Sequence, residues 1–462
     1  MKKNYRQIIR LLCVGILFVA VIIVLIHKGV IPRFWEQAET VTQPEAVDTI
    51  EIPGPEEEES KMQAFDEEAA AESEEEEADA SQTMNADADM PDSGTDEEAP
   101  AQNDTQSEAQ KLTPEEQLKD YLAEDPRTPT EVKGVFITGA VAGTENTMPA
   151  LTQLVEDSSL NAMVIDIKND AGEVTYKMGL PLSQEIGAEV RYVSDMPQLI
   201  RQLKEKGIYL IARIVAFKDP VLAEKKTEYA VKNADGSVFH DNNGLAWVNP
   251  YNEEVWDYLI DLSKQAAALG FDEIQYDYIR FSTAKGISEA DFGAESEGKT
   301  RQDAVAGFLK KAYETLAPMG VYVSADVFGT IICNETDGQL IGQDYVEMAK
   351  YCDYICPMVY PSHYVNNAYG IAVPDAKPYD LIYASVADGE QKLRSARETD
   401  PEVHLAKQRP WLQAFTATWV DGHIPYRGQQ LTDQIRGASD AGVSEWLLWN
   451  ASNNYDNVKS GL

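Results

Sequence analysis

Two aspartates, Asp277 and Asp326, lie near the ends of two successive β-rich runs of the sequence. Because side chains alternate along a strand, Glu273 and Gln275 should share one face with Asp277. Hydrolysis of a glycosidic bond needs two carboxyl groups, one to protonate the leaving oxygen and one to attack or to activate water. The pair therefore indicates glycoside hydrolysis, with Asp277 as the nucleophile or base and Asp326 as the general acid.

Charged and aromatic side chains also follow most of the other β-rich runs. Charged groups at strand ends are costly to bury unless they are paired or used, so we expect several of them to bind substrate hydroxyls or to tune the pKa of the carboxyl pair. Aromatic rings would form platforms for the faces of sugars. The expected substrate-binding residues are Asp166, Lys168, Arg213, Trp247, Arg280, Tyr360, His363, Trp411 and Trp449.

A structural ion pair is the alternative for each of these charged residues. Asp166 could pair with Lys168. Asp277 could pair with Arg213 or Arg280. Several strands that end in charged residues at once favour a functional rim over a set of unrelated ion pairs.

Metal-dependent and serine-dependent hydrolysis are both disfavoured by the sequence. None of the five histidines has a partner at a metal-ligand spacing, and no G-x-S-x-G elbow occurs. We therefore expect neither a metal nor a cofactor. The histidines are His27, His240, His363, His404 and His423.

Eight short β-rich runs alternate with helical sequence and would position these residues. Two of the helical segments are well marked, one that follows Asn249-Pro250 and stops at Gly270, and one over residues 303–316. This order predicts a (β/α)₈ barrel of the α/β class, whose active site lies at the C-terminal ends of the strands. An open doubly wound sheet is the alternative, but no glycine-rich nucleotide loop follows the first run. The runs cover residues 134–138, 162–167, 208–214, 273–278, 321–327, 354–359, 411–413 and 446–449.

The connection over residues 217–248 is long for a loop between a strand and a helix. Asn233-Ala234-Asp235-Gly236 within it predicts a hairpin turn. We expect this connection to form one wall of the cleft.

Residues 1–35 contain an apolar run, Leu11 to Ile26, preceded by Lys2, Lys3, Arg6 and Arg10. The positive charges favour a cytoplasmic N-terminus and a single membrane-spanning signal anchor, with the rest of the chain outside the cytoplasm. A cleaved signal peptide is the alternative, although no A-x-A-like site follows the run.

Residues 36–110 contain 26 acidic residues and one basic residue, Lys61. This segment therefore contributes −25 of the formal net charge of −39 of the chain. Such a segment has too little apolar surface to fold and should be a disordered linker. So acidic a chain should not bind nucleic acid, because that binding depends on Lys and Arg contacts with phosphates. The folded domain is expected to occupy residues 111–462, with an amphipathic helix near Thr113.

Five segments of the domain together resemble the bacterial putative glycosyl hydrolase domain family. They are Gly134-Val135-Phe136, Val164 to Lys168, Phe271 to Phe281, Ser324 to Gly329 and Pro357 to His363. The resemblance covers nearly all of residues 133–462, and it implies a TIM barrel related to glycosidases. Of the candidate site residues, Asp166, Lys168, Asp277, Arg280 and Asp326 stand in the family-like motifs.

The fourth run has a more distant likeness to the chitinase-like family 18, which has D-x-x-D-x-D-x-E there. Asp272 and Asp277 match the outer aspartates, but Gln275 and Ile279 replace the middle aspartate and the catalytic glutamate. Substrate-assisted chitinase chemistry is therefore not expected.

Taken together, the sequence predicts a membrane-anchored, extracytoplasmic glycoside hydrolase that acts on a polysaccharide or oligosaccharide. The first alternative is a barrel that binds polysaccharide without cleaving it, because a fold does not fix an activity. The second alternative is an envelope scaffold that uses the acidic linker as its contact surface.

Overall fold

The computed structural model describes Asp125 and residues 127–462. The expected membrane segment, the acidic linker and the helix near Thr113 all lie outside the described residues. Within the described part of the chain, no helix is both long enough and apolar enough to cross a bilayer.

The described residues form a closed parallel barrel with eight strand positions and helices around it. Each strand pairs in parallel with its neighbours, and the last strand pairs with the first through Gly134 and Leu447, which closes the cylinder. The seventh position holds two short strands separated by Arg409-Pro410, because proline has no amide hydrogen to donate to a neighbouring strand. The strands are β1 (Lys133–Ile137), β2 (Ala162–Lys168), β3 (Tyr209–Val215), β4 (Glu273–Asp277), β5 (Tyr322–Phe328), β6 (Tyr354–Met358), β7 (Lys407–Gln408), β8 (Trp411–Gln413) and β9 (Trp446–Trp449).

The helices lie between these strands in chain order, as parallel crossovers require. They are α1 (Gly139–Ala142), α2 (Thr147–Asp157), α3 (Pro181–Ile186), α4 (Met196–Glu205), α5 (Pro220–Lys225), α6 (Glu253–Leu269), α7 (Arg301–Leu316), α8 (Glu335–Ile341), α9 (Tyr345–Ala349), α10 (Pro378–Thr399) and α11 (Gly428–Asp440). All eight predicted strands are confirmed, with boundaries that differ by at most one residue.

The two predicted helices are also confirmed. In α6, the side chain of Asn252 caps the first turn, and Gly270 ends the helix in the left-handed region at φ 105°. Helix α7 starts two residues before the predicted position. The reason is a capping box in which Thr300 and Asp303 accept each other's backbone amide hydrogens.

Two apolar layers hold the barrel. The outer layer fills the space between strands and helices, and the inner layer fills the cylinder with side chains that include Phe136, Val164, Ile211, Trp411 and Leu447. Strands β2, β3 and β5 are buried along their whole length, as parallel strands covered on both faces must be.

An ion pair lies inside the lower half of the barrel. Nη1 of Arg409 donates to both carboxylate oxygens of Glu273 at 2.8 and 2.9 Å, and neither side chain is exposed. The guanidinium stacks on Tyr354 at 3.4 Å, and the hydroxyl of Tyr209 donates to Glu273 at 3.0 Å. The predicted alternation along β4 puts Glu273 on the same face as Asp277, whereas no sequence pattern points to Arg409.

The first described residues cross the N-terminal ends of the strands. Arg127 donates through Nη1 and Nη2 to the two oxygens of Asp353 at 2.8 and 2.7 Å, and through Nη1 to the carbonyl of Val321 at 2.9 Å. Its guanidinium also stacks on Tyr322 at 4.1 Å. The chain is thus fastened to the bottom of the barrel, opposite the ends that carry Asp277 and Asp326.

The long connection after β3 contains helix α5 and the predicted hairpin turn. Asn233 accepts from the amide of Gly236 at 2.9 Å and donates to the carbonyl of Ser237 at 2.8 Å. Gly236 has φ 83°, which this turn requires. The turn prediction is therefore confirmed.

Candidate active site

Arg213 of β3 joins the carboxyl groups of Asp166 and Asp277. Its Nη1 donates to Asp166 at 2.6 Å, while Nε and Nη2 both donate to Oδ2 of Asp277 at 3.0 and 2.6 Å. The three side chains keep only 5% to 9% of their surface exposed. The ion pair between Asp277 and Arg213, weighed above as an alternative, is present. The one between Asp166 and Lys168 is replaced by a bond from Arg213.

An aromatic pair packs against the Arg213 guanidinium. Phe136 of β1 and Trp449 of β9 stack on each other with ring centroids 4.1 Å apart. The guanidinium carbon lies 5.2 Å from the centroid of Phe136 and 5.3 Å from that of Trp449. Because Trp449 is only partly buried, it presents an aromatic surface beside the carboxyl cluster.

Asp277 also accepts a hydrogen bond from the backbone amide of Tyr278 at 2.6 Å. Tyr278 has φ 46°, a left-handed conformation that is uncommon for a non-glycine residue. This backbone turn aims the amide at Oδ1 while Arg213 holds Oδ2. Both oxygens of Asp277 therefore have donors suited to an ionised carboxylate.

Asp326 of β5 has a different environment. It is 1% exposed, and its Oδ1 accepts from the indole Nε1 of Trp411 at 2.7 Å. Burial and then the negative charge of Asp277 raise the pKa of Asp326 well above the usual value for aspartate. The two interacting carboxyl groups thus have different environments, a guanidinium and a backbone amide at Asp277 and burial with a raised pKa at Asp326, which suits one base and one acid.

Asp166 is the third carboxyl group of the cluster. Burial raises its pKa to about 6, although the positive charge of Arg213 acts in the opposite direction. Asp166 therefore titrates close to neutral pH while it remains bonded to the arginine that holds Asp277.

Lys168 supports the site from below. It has no exposed surface, and its ammonium donates to the carbonyl of Val215 at 2.8 Å and lies 3.0 Å from the carboxylate of Asp219. Burial lowers the pKa of Lys168. Lys168 therefore has no exposed atom for the direct substrate contact that the sequence predicts, and it pairs instead with Asp219, the N-cap residue of α5.

Arg280 and Trp247 are buried next to the cluster. The Arg280 guanidinium lies 5.2 Å from the ring of Trp247, 4.9 Å from that of Tyr278 and 4.7 Å from that of Phe328. Trp247 is 1% exposed, and its indole donates to Asp241 at 3.0 Å. These two residues fix the position of Tyr278, and through it Asp277, from the side of the long connection.

Tyr360 and His363 follow β6, and both contact Phe415. The ring of Tyr360 lies 5.1 Å from that of His363 and 5.9 Å from that of Phe415. The hydroxyl of Ser362 lies 2.7 Å from Nδ1 of His363. Burial lowers the pKa of His363 to about 3, so its ring is neutral at ordinary pH.

Some residues of the cluster were not singled out from the sequence. Phe136 was quoted only within a motif, and Asp219 and the pair of Asp170 with Lys218, at 2.9 Å, were not considered as site residues. Asp170 lies two residues after the end of β2, so attention to strand ends could have found it. Asp219 lies four residues after the end of β3 and carries no such signal. Among the described residues, no group of three or more acidic, histidine or cysteine side chains is arranged to hold a metal ion.

Two of the solved structures that resemble this chain differ in identity and coverage. A hypothetical protein from Ruminiclostridium thermocellum is 38% identical, covering 42% of this chain and 97% of its own, with a TM-score of 0.39. The PgaB (BpsB) glycoside hydrolase domain from Bordetella bronchiseptica is 14% identical, covering 70% of this chain and 95% of its own, with a TM-score of 0.51. The second likeness supports the barrel fold. A search of curated proteins gave no match.

The family comparison agrees with the resemblance noted in the sequence. The family described as "Putative glycosyl hydrolase domain" matches residues 134–455, which span the barrel from β1 to beyond β9. The chain therefore belongs to this glycosyl hydrolase domain family.

Proposed function

We propose that the barrel hydrolyses glycosidic bonds of a polysaccharide, with Asp277 as the nucleophile or base and Asp326 as the general acid. The observation that carries the proposal is the contrast between these two neighbouring carboxyl groups. Asp277 is bonded to a guanidinium and a backbone amide, whereas Asp326 is buried with a raised pKa. Hydrolysis needs one carboxyl group of each kind.

The proposed acid keeps its proton until a leaving oxygen needs it. Because the indole of Trp411 donates to Oδ1 of Asp326, the proton of the neutral acid belongs on Oδ2. Once Asp326 has given that proton to the leaving oxygen, the indole bond stabilises the carboxylate that remains. Asp277 attacks the anomeric carbon or takes a proton from the attacking water.

The other candidate residues divide into two groups by exposure. Trp449 and His363 are partly exposed beside the cluster, where their rings can meet the faces of sugars. The second group lies beneath the surface and positions the reacting groups. Its members are Asp166, Lys168, Arg213, Trp247, Arg280, Tyr360 and Trp411.

Asp277→Asn provides the direct test, because asparagine keeps the size of the side chain but removes the charge. We expect loss of sugar release from polysaccharide, with a circular dichroism spectrum like that of the wild type. Asp456→Asn is the control, since Asp456 keeps 76% of its side chain exposed in a surface ion pair. Unchanged release of reducing sugar by the Asp277→Asn variant would reject the assignment.

The alternative of a binding barrel without turnover predicts a different result. Such a barrel would retain polysaccharide on a glycan array but release no reducing sugar under any condition. The two assays on the same wild-type preparation therefore separate the alternatives.

We further propose that residues 1–35 anchor the chain in the cell membrane and that the barrel lies outside the cytoplasm. The proposal rests on the apolar run and the positive charges that precede it. Protease treatment of intact cells should remove the barrel from a membrane-bound N-terminal fragment. Protection of the barrel in intact cells would contradict this location. Deletion of residues 36–110 should leave turnover unchanged if the linker is only a spacer.

A further inference from the structure

An aromatic series extends from the carboxyl cluster to the protein surface. It consists of Tyr360, His363, Phe415 and Trp419, which we call the aromatic shelf. Phe415 contacts Tyr360 and His363 edge to face, at 5.9 and 6.2 Å between ring centroids. Trp419 then stacks on Phe415 at 6.0 Å with an interplanar angle of 19°.

Exposure increases along the shelf. Tyr360 is 4% exposed and belongs to the inner apolar layer with Trp411, the residue that donates to Asp326. His363 and Phe415 are half-buried, and Trp419 is 41% exposed. The shelf therefore begins beside the proposed acid and ends in solvent.

The loop after β8, which carries Phe415 and Trp419 of the shelf, is fastened at both ends. Asp375, which is 1% exposed, accepts from the side chain of Gln413 at 3.1 Å and from the amide of Ile424 at 3.2 Å. The hydroxyl of Tyr426 donates to the Asp375 carbonyl at 3.0 Å, and its amide donates to the hydroxyl of Thr416 at 2.9 Å. These bonds pre-organise the loop, so little ordering is needed when a ligand binds.

An exposed tryptophan on a fixed loop costs hydrophobic free energy unless a partner covers it. Pyranose rings are suitable partners, because their C–H faces are flat and apolar while their hydroxyl groups remain in water. Phosphate-bearing or carboxylate-bearing polymers suit the shelf poorly. The chain has 78 acidic against 39 basic residues and would repel them.

We propose that the aromatic shelf binds an uncharged or positively charged stretch of the same polysaccharide, several sugar units away from the bond that is cleaved. This inference rests on the proposed hydrolase function. It implies that the barrel prefers polymers to disaccharides, because a longer chain can contact Trp419 as well as Asp326.

Trp419→Ala in the full-length chain tests the shelf, with Tyr383→Ala as the matched control. Tyr383 is an aromatic residue of similar exposure, at 44%, on helix α10 outside the shelf. Electrophoresis through gels that contain chitosan, hydroxyethyl cellulose or carboxymethyl cellulose measures binding without turnover. We expect Trp419→Ala to weaken retention by chitosan or hydroxyethyl cellulose by roughly five- to tenfold, as the loss of one stacking partner allows. Tyr383→Ala should leave retention unchanged.

Hydrolysis supplies the second measurement. On the polymer that is cleaved, kcat/KM should fall for Trp419→Ala, while kcat/KM for the matching disaccharide should not change. Equal losses on both substrates, unchanged retention, or retention of the wild type only by anionic carboxymethyl cellulose would overturn the shelf. Because the gels need no turnover, an inactive wild type that is still retained through Trp419 would reject the hydrolase and keep the shelf.

Discussion

Arg213 holds Asp277 by two hydrogen bonds to a single carboxylate oxygen, at 3.0 Å from Nε and 2.6 Å from Nη2. The same guanidinium holds Asp166 through Nη1. One buried cation on β3 thus sets the position of two carboxyl groups on the strands that flank it, β2 and β4. The positions of Asp166 and Asp277 therefore both depend on Arg213.

Arg213→Met should therefore be strongly destabilising, by about 3 to 5 kcal/mol, because it leaves buried carboxylates without a counter-charge. The loss should be smaller at pH 5 than at pH 8. Protonation at the lower pH removes the uncompensated charges. Urea unfolding at the two pH values measures both effects. Lys459→Met is the control, since Lys459 forms an exposed ion pair with Asp456 and should change stability little.

Asp326→Asn should change the dependence of stability on pH. Because the pKa of Asp326 is raised in the folded state, its contribution is fully present below the unfolded pKa of about 3.9 and is lost as pH rises through the folded pKa. The variant lacks this loss, so we expect it to be the more stable protein at pH 8 by at least about 1 kcal/mol. Thermal unfolding between pH 4 and 8 measures the difference.

A residual slope should persist in that variant. Asp166 has a pKa of about 6, so its own contribution is lost as pH rises from about 4 through 6. Identical stability curves for the variant and the wild type would contradict the raised pKa of Asp326.

Trp411→Phe should shift the pH dependence of hydrolysis. The indole bond lowers the pKa of Asp326, in opposition to burial, so its loss should raise that pKa further. The alkaline limb of the kcat/KM profile should then move up by about one pH unit. Trp256→Phe loses a comparable buried indole bond, to the carbonyl of Pro250, away from the cluster and should leave the limb in place. A downward shift in Trp411→Phe would argue against Asp326 as the acid.

Arg409 and Glu273 should behave as a strongly coupled pair. Arg409→Met alone should cost about 3 to 5 kcal/mol, whereas the double variant with Glu273→Leu should recover most of that loss. A double-mutant cycle in urea measures the coupling. Additive losses would show that the two side chains contribute independently.

Strand order, barrel closure and the inward face of Asp277 could all be predicted from the sequence. The reason is that period-two alternation and helix-bearing crossovers act along the chain, where residues can be counted. Helix α7 begins two residues before its predicted start because of the capping box of Thr300 and Asp303. That box is a local pattern and could also have been found in the sequence.

The partners of the buried charges were harder to predict. Lys168 of β2 pairs with Asp219, the N-cap residue of the helix that follows β3, and not with Asp166 of its own strand. Arg409 reaches Glu273 across the inside of the barrel, over 136 positions of sequence. Such pairings depend on which side chains face each other across the closed cylinder, and spacing along the chain carries no record of that.

The ion pair between Arg127 and Asp353 has a mechanical consequence. A pull on the upstream chain would act on this ion pair and on the hydrogen bond to Val321, at the N-terminal ends of the strands. The force would reach the carboxyl cluster at the other end of the barrel only after this ion pair had broken. Tension on the chain should therefore not change the geometry of the cleft.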